Sequence, residues 1–179
     1  VDMGRARFGW ADIPLAAAVD DTDAVTGVAA ADGAGLGAGS VVNVGNPHVV
    51  YWVADPHAID LGRIGPAIEH DPLFPRRINV TLARVVDRGR IDIRVWERGA
   101  GLTRACGTAA CATAALAYRT GRTGSSVTIG LPGGDLEIAI AEDGTIVMAG
   151  GVETDFAGTL DPEFGTFQLE AEAPAAAAG

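Results

Sequence analysis

Apolar and polar positions along this chain follow more than one pattern. In "VVNVGNPHVVYWVAD", residues 41–55, two β-rich apolar runs are broken by Gly45-Asn46-Pro47, which predicts two strands joined by a turn. In "RRINVTLARVVDRGRIDIRVWERG", residues 76–99, apolar and polar residues alternate on either side of Asp87-Arg88-Gly89-Arg90. A period of two sends successive side chains to opposite faces, so a hairpin is expected here, with strands near 77–86 and 91–97. Three further strands are expected near 126–131, 135–141 and 145–149, joined by the turn-forming Pro132-Gly133-Gly134 and Asp143-Gly144. "VETDFAGTL", residues 152–160, reads as one more strand.

Two segments are helical in pattern. Asp60 to Glu69 suits a short helix, with Asp60 as its cap and Pro72 beyond its end. The small-residue stretch 106–120 predicts a longer helix stopped by Gly121. "VAAADGAGLGAG", residues 28–39, reads as a loop or hairpin tip, and the tail "AEAPAAAAG" as disordered or a frayed helix. The fold class is therefore α+β, a mostly antiparallel sheet with one long helix against it.

Composition narrows the function. The 179 residues carry a net charge of −10, from 23 acidic and 13 basic side chains, which disfavours a nucleic-acid partner. No apolar run approaches the ~20 residues that span a bilayer, and no basic segment leads into an apolar one as in a signal peptide. No membrane or secreted role is expected. All 13 basic residues are Arg; with no lysine, the chain cannot hold pyridoxal phosphate as a Schiff base. Cys106 and Cys111 lie five apart on one helix and point to different faces, so no disulfide is expected. With three histidines and a C-x4-C spacing, no metal site is expected either. Free thiols suit a cytoplasmic location.

The chemistry concentrates in "ERGAGLTRACGTAACATAALAYRTGR", residues 97–122. A thiol at a helix start faces unpaired N–H groups and the positive end of the macrodipole. A lowered pKa is expected for Cys106 on that ground. Gly107 bares the backbone amides of the first turn, which makes a carboxylate site. Ala109, Ala110 and Ala112 keep that turn slim. Cys111, in mid-helix, reads as a small buried residue. Taken singly, Glu97-Arg98 reads as a solvated strand-end pair, Asn46 and Asn79 as turn or edge residues, and His48, His57 and His70 as surface or satisfied histidines.

Taken together, "GNPHVV" (45–50), "RINV" (77–80), "VWERGAG" (95–101) and "ACGTAACA" (105–112) resemble the diaminopimelate epimerase family in order and approximate spacing. Leu102 and Ala109 stand where that family frequently has Glu and Gly. The opening "VDMGRARFGWADIPL" resembles the passage from the family's first domain to its second. The resemblance implies a sheet wrapped around a central helix, with residues 1–160 as the second domain. Residues 1–6 would be the interdomain segment, 152–160 a strand returning to the first domain, and 161–179 a disordered tail. It further implies a cofactor-independent epimerase acting on an amino acid, converting LL-diaminopimelate to the meso form in a homodimer.

By position, the resemblance makes Cys106 one of two acid/base cysteines. Gly107 and Thr108 amides would hold the α-carboxylate. Asn46, Asn79 and Arg98 would grip polar groups of the substrate. Glu97 would meet an ammonium group and, with His48, tune the thiol. The family's other cysteine lies in a Cys-Gly-Asn motif that these 179 residues do not contain, so a first domain or a partner chain would supply it. Other readings are a proline-type racemase, a phenazine-pathway isomerase, a thiol hydrolase with His48 activating Cys106, and a non-catalytic binding module.

Overall fold

The turn at Gly45-Asn46 separates strands β2 (Ser40–Asn43) and β3 (Pro47–Trp52), and the hairpin turn at Arg88-Gly89 separates β4 (Asn79–Asp87) from β5 (Arg90–Glu97). The computed structural model describes residues 1–152, 157–163 and 165–169. Further along lie β7 (Ser126–Leu131), β8 (Gly134–Ile140) and β9 (Thr145–Gly150), as the turn chemistry predicts. Strand β1 (Asp2–Arg5) and the short β6 (Gly101–Thr103) complete the main sheet.

The strand order is β1-β9-β8-β7-β5-β4-β3-β2, with β6 beside the upper part of β5. Pairing is antiparallel except for β3–β4 and β5–β7. The two ends of the sheet meet: Arg7 N–H donates to the Asn43 carbonyl at 2.8 Å, and Asn43 N–H returns the bond to Arg7 at 2.9 Å. The sheet thus curls closed around helix α3 (Gly107–Arg119), whose residues Ala109 to Ala117 are all buried. Alanine dominates because the space inside the curled sheet admits a helix only if its side chains are short. The one polar group in that stretch, the Thr113 hydroxyl, donates to the Ala109 carbonyl at 2.8 Å.

A second core lies outside the sheet. Helices α1 (Ala29–Gly33) and α2 (Leu61–Glu69) cover β2, β3 and β4 there, with Tyr51, Ile68, Phe74, Ile78 and Leu82 between the layers. Asp60 caps α2 by accepting from Arg63 N–H at 3.2 Å. Strands β2 and β3 and the first half of β4, residues 79–83, are consequently buried on both faces: Val42, Val50 and Ala83 look inward, Val41, Val49 and Leu82 outward. Across the barrel, Val127, Ile129, Ile138 and Ile146 face the inner core while Val147 is 42% exposed on the outside.

The structure departs from the sequence reading in four places. Residues 28–39 contain α1 rather than only a loop, since the Val28 carbonyl accepts from Ala31 and Asp32 and Ala31 is fully buried. Gly101–Thr103 is a strand, held by β5. Residues 2–5 belong to the barrel, paired with β9. Of the expected strand 152–160, Gly158–Leu160 (β10) is a strand, but it pairs with β11 (Phe167–Leu169) in a separate two-stranded sheet. That places β11 inside the stretch expected to be disordered, with the turn made at Gly165, φ 63°. Residues 153–156, 164 and 170–179 lie outside the described residues. Among those described, no helix is long and apolar enough to cross a membrane.

Candidate active site

The first turn of α3 begins at Cys106. Cys106 is its N-cap, in extended backbone (φ −151°, ψ 103°), and its side chain makes no capping bond. Cys106 is 7% exposed, with Sγ 3.5 Å from the Thr108 hydroxyl and the Ala109 N–H directed toward it. The Thr108 hydroxyl in turn accepts from Asn46 Nδ2 at 3.2 Å, and Asn46 Oδ1 lies 2.9 Å from His48 Nε2. An amide oxygen only accepts, so Nε2 carries the proton and Nδ1 is the bare nitrogen. Nδ1 is buried without a hydrogen-bond partner. Complete burial, reinforced by the Arg98 charge, lowers the His48 pKa to about 3. His48 is a neutral imidazole, locked in one tautomer, at the end of a chain running Cys106–Thr108–Asn46–His48.

The thiol itself corrects an expectation. Its pKa is raised, not lowered: burial is the largest cause, and the neighbouring Glu97 carboxylate adds to it. The Thr108 hydroxyl and Ala109 N–H pull the other way and are outweighed. A helix start favours a thiolate only where water or a cation shares the work; here a wall of alanines and a carboxylate oppose it. Cys111 is fully buried and pushed up to about 11, first by burial and then by Cys106, the small buried residue that its mid-helix position predicts. Gly107 has a packing reason beyond ligand access: a Cβ there would sit 3.0 Å from Met148 Sδ on β9.

Opposite the thiol, β5 ends at Glu97 and turns through Arg98, Gly99 (φ 80°) and Gly101 (φ 90°) into β6. Asn79, at the start of β4, is 3% exposed and ties this turn to the β2–β3 side. It donates to the Pro47 carbonyl at 2.8 Å and accepts from Arg98 N–H at 2.9 Å. The Arg98 guanidinium is exposed and donates to the Arg76 carbonyl at 3.0 Å. All eight residues singled out in the sequence are thus brought together near the first turn of α3: Asn46, His48, Asn79, Glu97, Arg98, Cys106, Gly107 and Thr108. Asn79 differs from expectation in that its amide is largely spent on backbone. Three participants escaped the sequence reading: Met148 and the pair Glu69–Trp96, which lies behind the turn. Glu69 carried a signal, since Leu61, Ile64, Gly65, Ile68 and Glu69 form one buried stripe of α2. Among the described residues, no group of three or more His, Cys, Asp or Glu is placed to hold a metal ion.

The sequence profile of the family described as Diaminopimelate epimerase matches residues 40–154. A protein of Chelativorans sp. (strain BNC1) named diaminopimelate epimerase is 49% identical over 177 residues, 98% of this chain and 60% of that protein. One of the same name from Rhodopseudomonas palustris (strain BisA53) is 53% identical over 164 residues, 90% of this chain and 57% of that protein. The chain therefore spans less than two thirds of the length of these curated relatives. Among solved structures, a Predicted Epimerase from Pseudomonas aeruginosa is similar with a TM-score of 0.51 at 18% identity, covering 86% of this chain and 58% of that one. At that identity the likeness concerns the fold.

Proposed function

The chain belongs to the diaminopimelate epimerase family, and we propose that it supplies one wall of a cofactor-independent active site that converts LL-diaminopimelate to the meso form. The observation that carries this reading is the Cys106 thiol, a free cysteine at the N-cap of α3, with Thr108 and Glu97 beside it. Inversion at an α-carbon needs one base to take the proton from one face and one acid to return a proton to the other. Cys106 fills one of these roles, and a second cysteine on a first domain or a partner chain fills the other. Because its pKa is raised, Cys106 rests as a neutral thiol in this chain, which suits the donor. The same group acts as base for the reverse reaction.

The remaining residues bind and orient. The free N–H groups of Gly107 and Thr108 receive the α-carboxylate, where negative charge grows as the α-proton leaves. Glu97 meets the α-ammonium group. Arg98, with a planar fork, grips the distal carboxylate, and Asn46 and Asn79 turn their remaining donors to the substrate's polar groups. His48, neutral and buried, holds Asn46 in one orientation. We place the reaction in the cytoplasm and the complete enzyme in a homodimer, following the family.

The test is incubation of the 179-residue chain with LL-diaminopimelate in deuterated water, following deuterium at the α-carbon and the meso product. The chain alone should give at most slow deuterium exchange and no meso product. A full-length epimerase carrying this chain should give both. Meso product from the chain alone, at a comparable rate, would refute the need for a second wall.

A further inference from the structure

Glu69 is 3% exposed and sits on the apolar stripe of α2, where an unpaired carboxylate would be costly. Its two oxygens take different donors. Oε2 accepts from Trp96 Nε1 at 2.7 Å, and Oε1 accepts from Gly99 N–H at 3.0 Å. Those donors belong to residues 96 and 99, which flank Glu97 and Arg98 on either side. One carboxylate therefore clasps both ends of the turn that presents these two groups. The close approach is built in. At Gly65 a Cβ would lie 2.6 Å from the Trp96 ring, so only glycine lets α2 reach β5.

A neighbouring segment closes on the same turn. Arg77 occupies the left-handed region at φ 59°, a conformation uncommon for a residue with a side chain. From there its guanidinium stands 3.8 Å from Glu69 Oε1. The preceding Arg76 carbonyl accepts from Arg98, and Asn79 accepts the Arg98 N–H. The turn is thus held at each end by Glu69 and in the middle by the 76–79 segment.

We infer that Glu69 is a positioning residue: its carboxylate sets the Glu97–Arg98 turn and so aims the Arg98 guanidinium at the anionic end of the ligand. The inference rests on the reading of Arg98 as a substrate grip. Glutamine has the same shape but one accepting oxygen. Glu69→Gln therefore leaves either Trp96 Nε1 or Gly99 N–H facing an NH2 group.

The experiment is a double-mutant cycle in a full-length epimerase carrying this chain, with KM and kcat measured for diaminopimelate. Glu69→Gln should raise KM by about tenfold, the scale of one hydrogen bond to a charged group. Arg98→Lys should also raise KM, and adding Glu69→Gln to it should raise KM little further, because the aim of the fork no longer matters. Ile68→Ala is the control: it loosens α2 against the sheet, so the melting temperature should drop while KM stays the same. An Arg98→Lys enzyme with unchanged KM would refute the substrate-grip reading, whatever Glu69 does. Where Arg98→Lys does raise KM, full multiplication of the two effects, or an Ile68→Ala enzyme with KM raised as much as in Glu69→Gln, would overturn the positioning role. Should Glu69→Gln fail to fold, Glu69→Asp keeps the charge but reaches only one donor. The same cycle then applies, and an unchanged KM overturns the inference.

Discussion

The barrel has a covered half and an open half. Strands β2, β3 and the first half of β4 lie between α3 on the inside and α1 and α2 on the outside, and both of their faces are buried. Strands β8 and β9 pack one face on α3 and leave Val147 and its outward neighbours to water. The candidate groups that the sheet supplies come from the covered strands and from the end of β5, which α2 reaches at Gly65 and Trp96. Asn46 and His48 come from the β2–β3 connection and β3, Asn79 from β4, and Glu97 and Arg98 from the end of β5. The open half brings Met148 against Gly107. A strand held on two faces cannot slide or twist without disturbing two cores, so its ends are the firmer place to mount groups that must meet within a few tenths of an ångström.

The comparison is most sharply tested at the mouth itself. Cys106→Ser in a full-length epimerase carrying this chain should cost about a thousandfold in turnover, the weight of a positioned acid/base, while the melting temperature hardly changes. Equal losses of stability and turnover would mean that Cys106 is a packing residue like Cys111. Next in size, Leu82→Ala removes a fully buried side chain from the outer face of the covered half and should cost about 2–5 kcal/mol in denaturant unfolding. A cost near zero would contradict the two-sided burial of β4.

Acid should then find the same half. His48 titrates near 3 when folded and near its ordinary 6.5 when unfolded, so the unfolded chain binds the proton first as the pH falls. Stability is therefore full above about 6.5 and declines toward pH 3, by about 2 kcal/mol at pH 5. His48→Gln should flatten that dependence, measured as the denaturation midpoint against pH. A smaller effect separates the two thiols. Iodoacetamide should alkylate Cys106 with a half-point above that of an ordinary thiol, and Cys111 only on unfolding; a half-point below the ordinary one would reverse the account of burial and Glu97. Smallest of all, Val147→Ala on the open outer face should change stability by less than about 0.5 kcal/mol.

Much of this was legible in the sequence. The period-two alternation of 76–99, the turn residues and the Asp60 cap are local signals, and the elements they predict are present within a residue or two. The stretch "VVNVGNPHVVYW" differs from the alternating hairpin because its strands are buried twice over, a difference visible in composition before any coordinates. The motif residues, distant in sequence, are joined around the first turn of α3 by hydrogen bonds such as Thr108–Asn46 and Asn79–Arg98. Less legible were α1 and β6, each too short for periodicity to register, and β11, which a polar, alanine-rich tail concealed.

What the sequence determined by itself was the menu of local structure and the types of group available: thiol, carboxylates, guanidinium, amides, and no lysine. What the tertiary structure decided was the state of those groups. The helix start promises a lowered thiol pKa, but alanine walls and the Glu97 carboxylate, brought from another element, raise it. His48 reads as an ordinary histidine until β3 is enclosed on both faces and leaves it neutral. Glu69 reads as the last residue of a helix until Trp96 and Gly99, some 30 positions along the chain, close on its two oxygens. Backbone conformation follows from neighbours in sequence, whereas the free energy of a charge depends on desolvation and on partners in space, and only the folded barrel brings those together.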